Sequence, residues 1–176
     1  MSSEGDEGTG GSEPRRVSAS GSTSRPDSVV VAVVGVVVAG LLLRLFDLGS
    51  RPFHWDEARV GYWALRYLDT GAYQYRPVAG GPLLYLLDRG LFALLGVSER
   101  IARLPAAVLG SALPLVALLF RDRLDDAETV LFAAFLAAQP LVLYYSRFLR
   151  GDVPLALFGF ASVGFALRAW DCRSRR

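Results

Sequence analysis

The residues best suited to chemistry are His54-Trp55-Asp56-Glu57 and, far downstream, Ser146-Arg147-Phe148-Leu149-Arg150-Gly151-Asp152. The first run offers a carboxylate pair, which can accept a proton or hold a cation. The second offers two guanidinium forks, whose geometry suits phosphate, and a further carboxylate. Both runs are wedged between apolar segments of membrane length. Ionisable groups are costly there and by default mark a function. An anion carried on a lipid would meet a base and paired cations at such a membrane end.

The elements that must position these groups are helices. A bilayer-spanning helix needs about 20 apolar residues, and four segments qualify: 28–46, 103–120, 129–145 and 153–170. The first is valine-rich. Its length and lack of a turn signal still favour helix in lipid, where every backbone polar group must be satisfied internally. Pro105 falls in the first turn of its segment, where a missing N–H costs little, whereas Pro114 and Pro140 are interior and predict kinks. Segment 83–97 is too short to cross ~30 Å of hydrocarbon and carries Asp88-Arg89 at its middle, so it predicts an interfacial helix. Two spans then separate the two polar runs, and both face one side. If 83–97 crossed, they would face opposite sides and could not form one site.

Composition agrees with a membrane protein. Hydrophobic residues make up 52% of the 176-residue chain, and its mean hydropathy is +0.34. The net charge of +2 provides no basic surface for nucleic acid. All 19 basic residues are arginine, which excludes a Schiff-base or P-loop lysine. Cys172 is the sole cysteine and can form no internal disulfide, and His54 is the sole histidine and cannot build a multi-histidine metal site. Residues 1–27 are rich in Ser, Gly and acidic side chains and predict a disordered tail. The apolar run after them lacks a small-residue cleavage site, which argues against a cleaved signal.

The expected fold is an all-α integral membrane domain over 28–170. It has about four transmembrane helices plus an interfacial helix in the first extracytoplasmic loop, followed by a basic cytoplasmic tail, 171–176. Nine arginines fall on each side of the membrane in this arrangement, so the positive-inside count ties. The short 121–128 loop and the Arg-rich C-terminus are where the rule is most reliable. They favour cytoplasmic termini in a multi-pass cell-membrane protein, with Asp56 and Asp152 extracytoplasmic.

Several short runs follow one another in a fixed order. They are His54-Trp55-Asp56-Glu57-Ala58, Gly71-Ala72-Tyr73-Gln74-Tyr75-Arg76-Pro77, Gly81-Pro82-Leu83-Leu84-Tyr85 and Gly96-Val97-Ser98-Glu99-Arg100 with Arg103-Leu104-Pro105. Phe120-Arg121-Asp122-Arg123 and Tyr144-Tyr145-Ser146-Arg147-Phe148, continuing to Asp152, complete the series. No single tripeptide is specific, but the ordered series over 41–170 resembles the N-terminal portion of membrane glycosyltransferases with the GT-C fold. It is most similar to the dolichyl-phosphate-mannose protein mannosyltransferase-like group, with its archaeal flippase-associated and bacterial glycan- or lipid-A-modifying members. Where members commonly carry a histidine in a His-Gly-Pro or His-Pro-Pro element, this chain has Gly80-Gly81-Pro82.

The resemblance implies a hexosyltransferase that moves sugar, with inversion, from a polyprenyl-phosphate donor to an extracytoplasmic acceptor. Asp56 would be the base and Glu57 would orient it or a polar substrate group. Arg147, Arg150 and Asp152 would hold the donor phosphate, with His54 and Arg103 in support. One base suffices, because a departing phosphate needs no protonating acid, unlike the leaving group of glycoside hydrolysis. No cofactor is expected and no metal site is assigned, although Asp56, Glu57 and Asp152 are oxygen ligands of the kind a divalent cation takes. The partners implied are the lipid-linked sugar and membrane lipid. Family members continue through further spans, so a C-terminal half or partner subunit is expected to be missing and the short chain alone to be inactive. The competing readings are plainer. Asp56-Glu57 would be a hydrated loop with Trp55 as an interfacial anchor, and the arginines would snorkel to headgroups. The whole chain would then be a non-catalytic membrane protein that binds lipid-linked glycan or assists its export.

Overall fold

Seven α-helices and one 3₁₀ helix account for most of the described residues, 28–74 and 82–174, of the computed structural model. The expected tail 1–27, Tyr75, Gly80-Gly81 and the last two arginines lie outside those residues. Helix α1 (Ser28–Leu45), helix α4 (Glu99–Ala112) running on into the 3₁₀ helix (Leu113–Phe120), and α7 (Asp152–Ser174) are each long and apolar enough to cross a membrane. The fold is all-α, and no strand occurs among the described residues.

The remaining predicted span, 129–145, is two helices, α5 (Asp126–Ala138) and α6 (Pro140–Tyr145). Pro140 has no N–H and pushes the preceding residue out of the helical region. Gln139 accordingly sits at φ −56°, ψ 122°, and its side-chain oxygen accepts the Val142 N–H at 2.6 Å, starting α6 afresh. What the sequence predicts as a kink is therefore a complete break. Pro114 acts more gently, and the helix tightens to 3₁₀ around it. The position expected for Pro105 needs correction. Ser98 caps α4 by accepting the Ile101 N–H at 3.2 Å, so the helix begins at Glu99 and Pro105 lies inside it.

A second correction concerns His54-Trp55-Asp56-Glu57, which opens helix α2 (Trp55–Thr70) instead of lying in a loop. The His54 side chain and the Glu57 carboxylate close a reciprocal capping box, and Gly71, at φ 66°, ends the helix in the left-handed conformation that favours glycine. Helix α3 (Pro82–Leu95), at 14 residues, is about 21 Å long and too short to span the hydrocarbon. It packs on α2 and α4, while α1 packs on α4, the 3₁₀ helix and α5. Helix α7 lies against α4 and the 3₁₀ helix. Gly110 faces Ser146 so closely that any Cβ there would collide.

Three packed regions result. Two lie between the long helices, one of Val29, Val33, Ala117 and Ala133 and one of Leu113, Val116 and Leu136. The third joins α2, α3 and α4 through Val60, Ala64, Leu84, Tyr85, Phe92 and Ala102, with Leu149. The outward faces of α1 and α7 expose Leu42, Leu43, Phe158 and Phe165, as lipid-facing helices do. Exposed Trp55 and Trp170 lie near opposite ends of the chain's spans, in keeping with interfacial anchoring. In the α2–α3 region Tyr67 stacks on Tyr85 at 5.7 Å, with Tyr73 edge-on to both and the Arg89 guanidinium 4.3 Å over Tyr67. These rings form one packed cluster.

Asp88 lies on the buried stripe of α3 with Leu84, Tyr85 and Phe92, and neither carboxyl oxygen has a hydrogen-bond partner among the described residues. Burial pushes its pKa up to about 8, whereas in the unfolded chain an aspartate ionises near ~4. Between those values the unfolded chain has lost the proton that the folded one keeps, so stability falls as pH rises and levels off above the folded pKa. Protection of α3 amides against hydrogen exchange, corrected for intrinsic rate, should therefore decline between about pH 5 and 8. Asp88→Asn should remove that slope. A wild-type profile as flat as the variant's would show that Asp88 is not a buried neutral acid.

Candidate functional site

Glu57 is where the two polar runs meet. Its side chain is fully buried and both oxygens are doubly occupied. One oxygen accepts from Arg103 Nε at 2.8 Å and from the Leu149 N–H at 3.0 Å. The other accepts from Arg103 Nη2 at 2.9 Å and from the His54 N–H at 3.0 Å. Burial alone would raise its pKa, but the Arg103 bonds, with the two backbone donors, more than offset that and hold it below the ordinary value. Glu57 is thus an ionised strut with no lone pair left for a substrate. It fixes the first turn of α2, and so the neighbouring Asp56, through the backbone.

Arg103 is equally committed. Besides the carboxylate, it donates to the carbonyls of Leu48 and Arg51 at 3.0 and 2.9 Å, and to that of Pro52 at 3.4 Å. One guanidinium thereby shapes the whole turn between α1 and α2. The sequence reading placed it only in support of the phosphate-binding group, because its partners lie about fifty residues upstream, and pairing at that range leaves no local signal.

Asp56, in contrast, is half exposed. Its carboxylate lies 3.8 Å from Arg150 Nη1 and 3.9 Å from His54 Nδ1. Arg150 in turn bonds Asp152 at 2.8 Å and lies over the Tyr145 ring at 5.3 Å. The structure therefore joins His54, Asp56, Arg150 and Asp152 into one accessible charged face. Among the described residues no three His, Cys, Asp or Glu side chains converge as a metal set would. Arg150 occupies the space between the two aspartates, and Glu57 is turned inward.

Arg147 faces elsewhere. Its Nη2 donates to the Phe46 and Asp47 carbonyls at 2.7 and 3.2 Å, and the side chain borders a cavity of about 560 Å³. Arg51, His54 and Arg103 also line this cavity, and Pro140, Leu143, Tyr144 and Phe148 form an apolar wall. The arginine pair expected to act together is thus divided, with Arg147 on the cavity and Arg150 on the aspartates. Arg51, which sequence reasoning passed over, lines the same cavity as Arg147.

A family model, dolichyl-phosphate-mannose-protein mannosyltransferase, matches residues 77–176, more than half of the chain. The chain belongs to this family. No curated protein and no solved structure matches it. The region matching the mannosyltransferase family contains Arg103, Arg147, Arg150 and Asp152, while His54, Asp56 and Glu57 lie just before it. Family membership and the three membrane-length helices together make this a membrane protein of mannosyltransferase type. The segment matched by the family and the segment preceding it are the two that Glu57 ties together.

Proposed function

We propose that the chain carries the catalytic face of a GT-C-type glycosyltransferase that uses a polyprenyl-phosphate sugar, in keeping with the dolichyl-phosphate-mannose named for the family. The observation that carries this reading is the meeting of Asp56 with Arg150 and Asp152 beside a cavity lined by Arg51 and Arg147. The acceptor hydroxyl attacks the anomeric carbon from the face opposite the phosphate. The bond from that carbon to the phosphate oxygen breaks, its electron pair leaves with the phosphate, and the hydroxyl proton passes to Asp56. Arg150 and Asp152 orient Asp56. Guanidinium groups recognise phosphate through paired, charge-assisted hydrogen bonds, so Arg147 and Arg51 take the donor phosphate. The apolar wall from Pro140 to Phe148 takes the first units of its lipid tail. Both clusters face the extracytoplasmic side, and the termini are cytoplasmic.

In nanodiscs, replacing both Arg51 and Arg147 with Gln should weaken binding of a short-chain polyprenyl phosphate by roughly 10²-fold, about one factor of ten for each charged hydrogen bond lost. Replacing exposed Arg173 should have no effect. Equal binding by wild type and the double variant would remove the donor site from this cavity. Sidedness is checked by labelling intact cells with an impermeant maleimide. Ala58→Cys in a Cys172→Ser background should react and native Cys172 should not, and the reverse pattern would invert the topology.

A further inference from the structure

Arg44, in the last turn of α1, is fully buried and makes three hydrogen bonds, all to neutral oxygens. One goes to the Gly40 carbonyl, one turn back in its own helix, at 3.0 Å. The other two leave α1. Nη2 donates to the Ala137 carbonyl at 3.2 Å, and Nε donates to Ser146 Oγ at 2.8 Å. Ala137 lies just before α6 and Ser146 just after it. The Ala137 carbonyl would accept from Leu141 if the helix ran on unbroken, and the break at Gln139 leaves it free for Arg44.

Helix α6 needs such a hold. It has six residues and no fully buried side chain, so packing alone fixes it weakly. Yet Pro140, Leu143 and Tyr144 of α6 form much of the cavity's apolar wall. Gly40 lets the guanidinium fold back along α1, since a Cβ there would lie 2.9 Å from Arg44 Nη1. Arg147, directly after Ser146, completes the stitch by donating back to the Phe46 and Asp47 carbonyls.

We infer that Arg44 is a positioning residue for the donor cavity, clamping α6 at both ends so that its apolar face and Arg147 are held at a fixed spacing. The link to the donor rests on the function proposed above. The clamp itself does not. A lysine keeps the charge but offers one nitrogen, which cannot reach both ends of α6 as the planar fork does.

The test uses the whole chain in nanodiscs with Cys172→Ser, spin-labelled at Leu141→Cys on the exposed side of α6 or at Val163→Cys on α7. Arg44→Lys should mobilise the label at 141 and leave the label at 163 unchanged. Ser146→Ala, which removes the bond from Arg44 and the hydroxyl's own bond to the Leu143 carbonyl while sparing the charge, should do the same to a smaller degree. Binding of a short-chain polyprenyl phosphate should weaken about tenfold in Arg44→Lys, the size of one lost charge-assisted bond. An unchanged label at 141, or equal loosening at both sites, would overturn the clamp. Loosening at 141 with unchanged binding would overturn its role in the cavity. Failure of the Arg51/Arg147 exchange to affect binding counts against the donor reading alone, and the clamp then stands or falls on the labels.

Discussion

Asp56→Asn should lower sugar transfer by roughly 10²–10⁴-fold, the usual worth of a general base. The change keeps the size of the side chain and most of its hydrogen bonding, and removes only its capacity to take a proton. Asp56 is the carboxylate proposed for that task, since Glu57 is buried and fully bonded while Asp56 is half exposed at the edge of the charged face. The measurement is turnover of a polyprenyl-phosphate sugar by this chain and by its Asp56→Asn variant, each alone and each fused to the C-terminal half of a related transferase. The KM for the donor should change little, because the proposed phosphate contacts, Arg51 and Arg147, lie on the neighbouring cavity. Turnover that survives Asp56→Asn would remove Asp56 from the mechanism. A loss seen only in KM would make it a binding group.

The largest stability effect is expected at the buried ion pair. Arg103→Met leaves the buried Glu57 carboxylate with its two backbone N–H donors but no counter-charge, and deprives three carbonyls of the α1–α2 turn of their donor. Breaking one partner of such a pair costs about 3–5 kcal/mol. The double change Glu57→Gln/Arg103→Met should cost less than Arg103→Met alone, because no buried charge remains uncompensated. The pH dependence has a defined sign. Glu57 has a depressed folded pKa, so its contribution is present above the range in which free glutamate ionises and is lost as pH falls through the folded value. Thermal unfolding in detergent compares the wild type with both variants. An Arg103→Met protein as stable as wild type would show that the pair is not what holds the turn.

The long apolar segments were legible because period and length suffice for them. The predicted 28–46 and 153–170 correspond to Ser28–Leu45 and Asp152–Ser174, and 83–97 to Pro82–Leu95. Helix α2 was not legible by hydropathy, since its charged and aromatic residues average out. Its signals were local, a glutamate three residues after the His54 cap and Gly71 at its end. The break at Gln139 could be suspected from Pro140, but its severity depends on the Gln139 side chain restarting the helix. The site was half legible. Residue type and isolation in apolar sequence were enough to single out both polar runs. Which carboxylate turns inward, which arginine sits on the cavity and what Arg44 bridges depend on contacts between distant segments, and no periodicity encodes those.

The convergence on Glu57 also constrains the order in which the protein can be made. Its backbone partner Leu149 lies 92 residues later in the chain. At ~5–20 residues per second a ribosome needs roughly 5–20 s to deliver it. During that interval the nascent chain has the α2 carboxylate but not the last of its four donors, and the segment carrying Arg150 and Asp152 has not emerged. The Asp56 face is therefore the last part of this region to be completed, and only as 146–152 reaches the membrane surface. An insertion machinery that shelters the α2 start until then would protect an ionised glutamate from premature burial. Conditions that stall synthesis between Arg103 and Leu149 would leave the segment open to proteolysis near the start of α2.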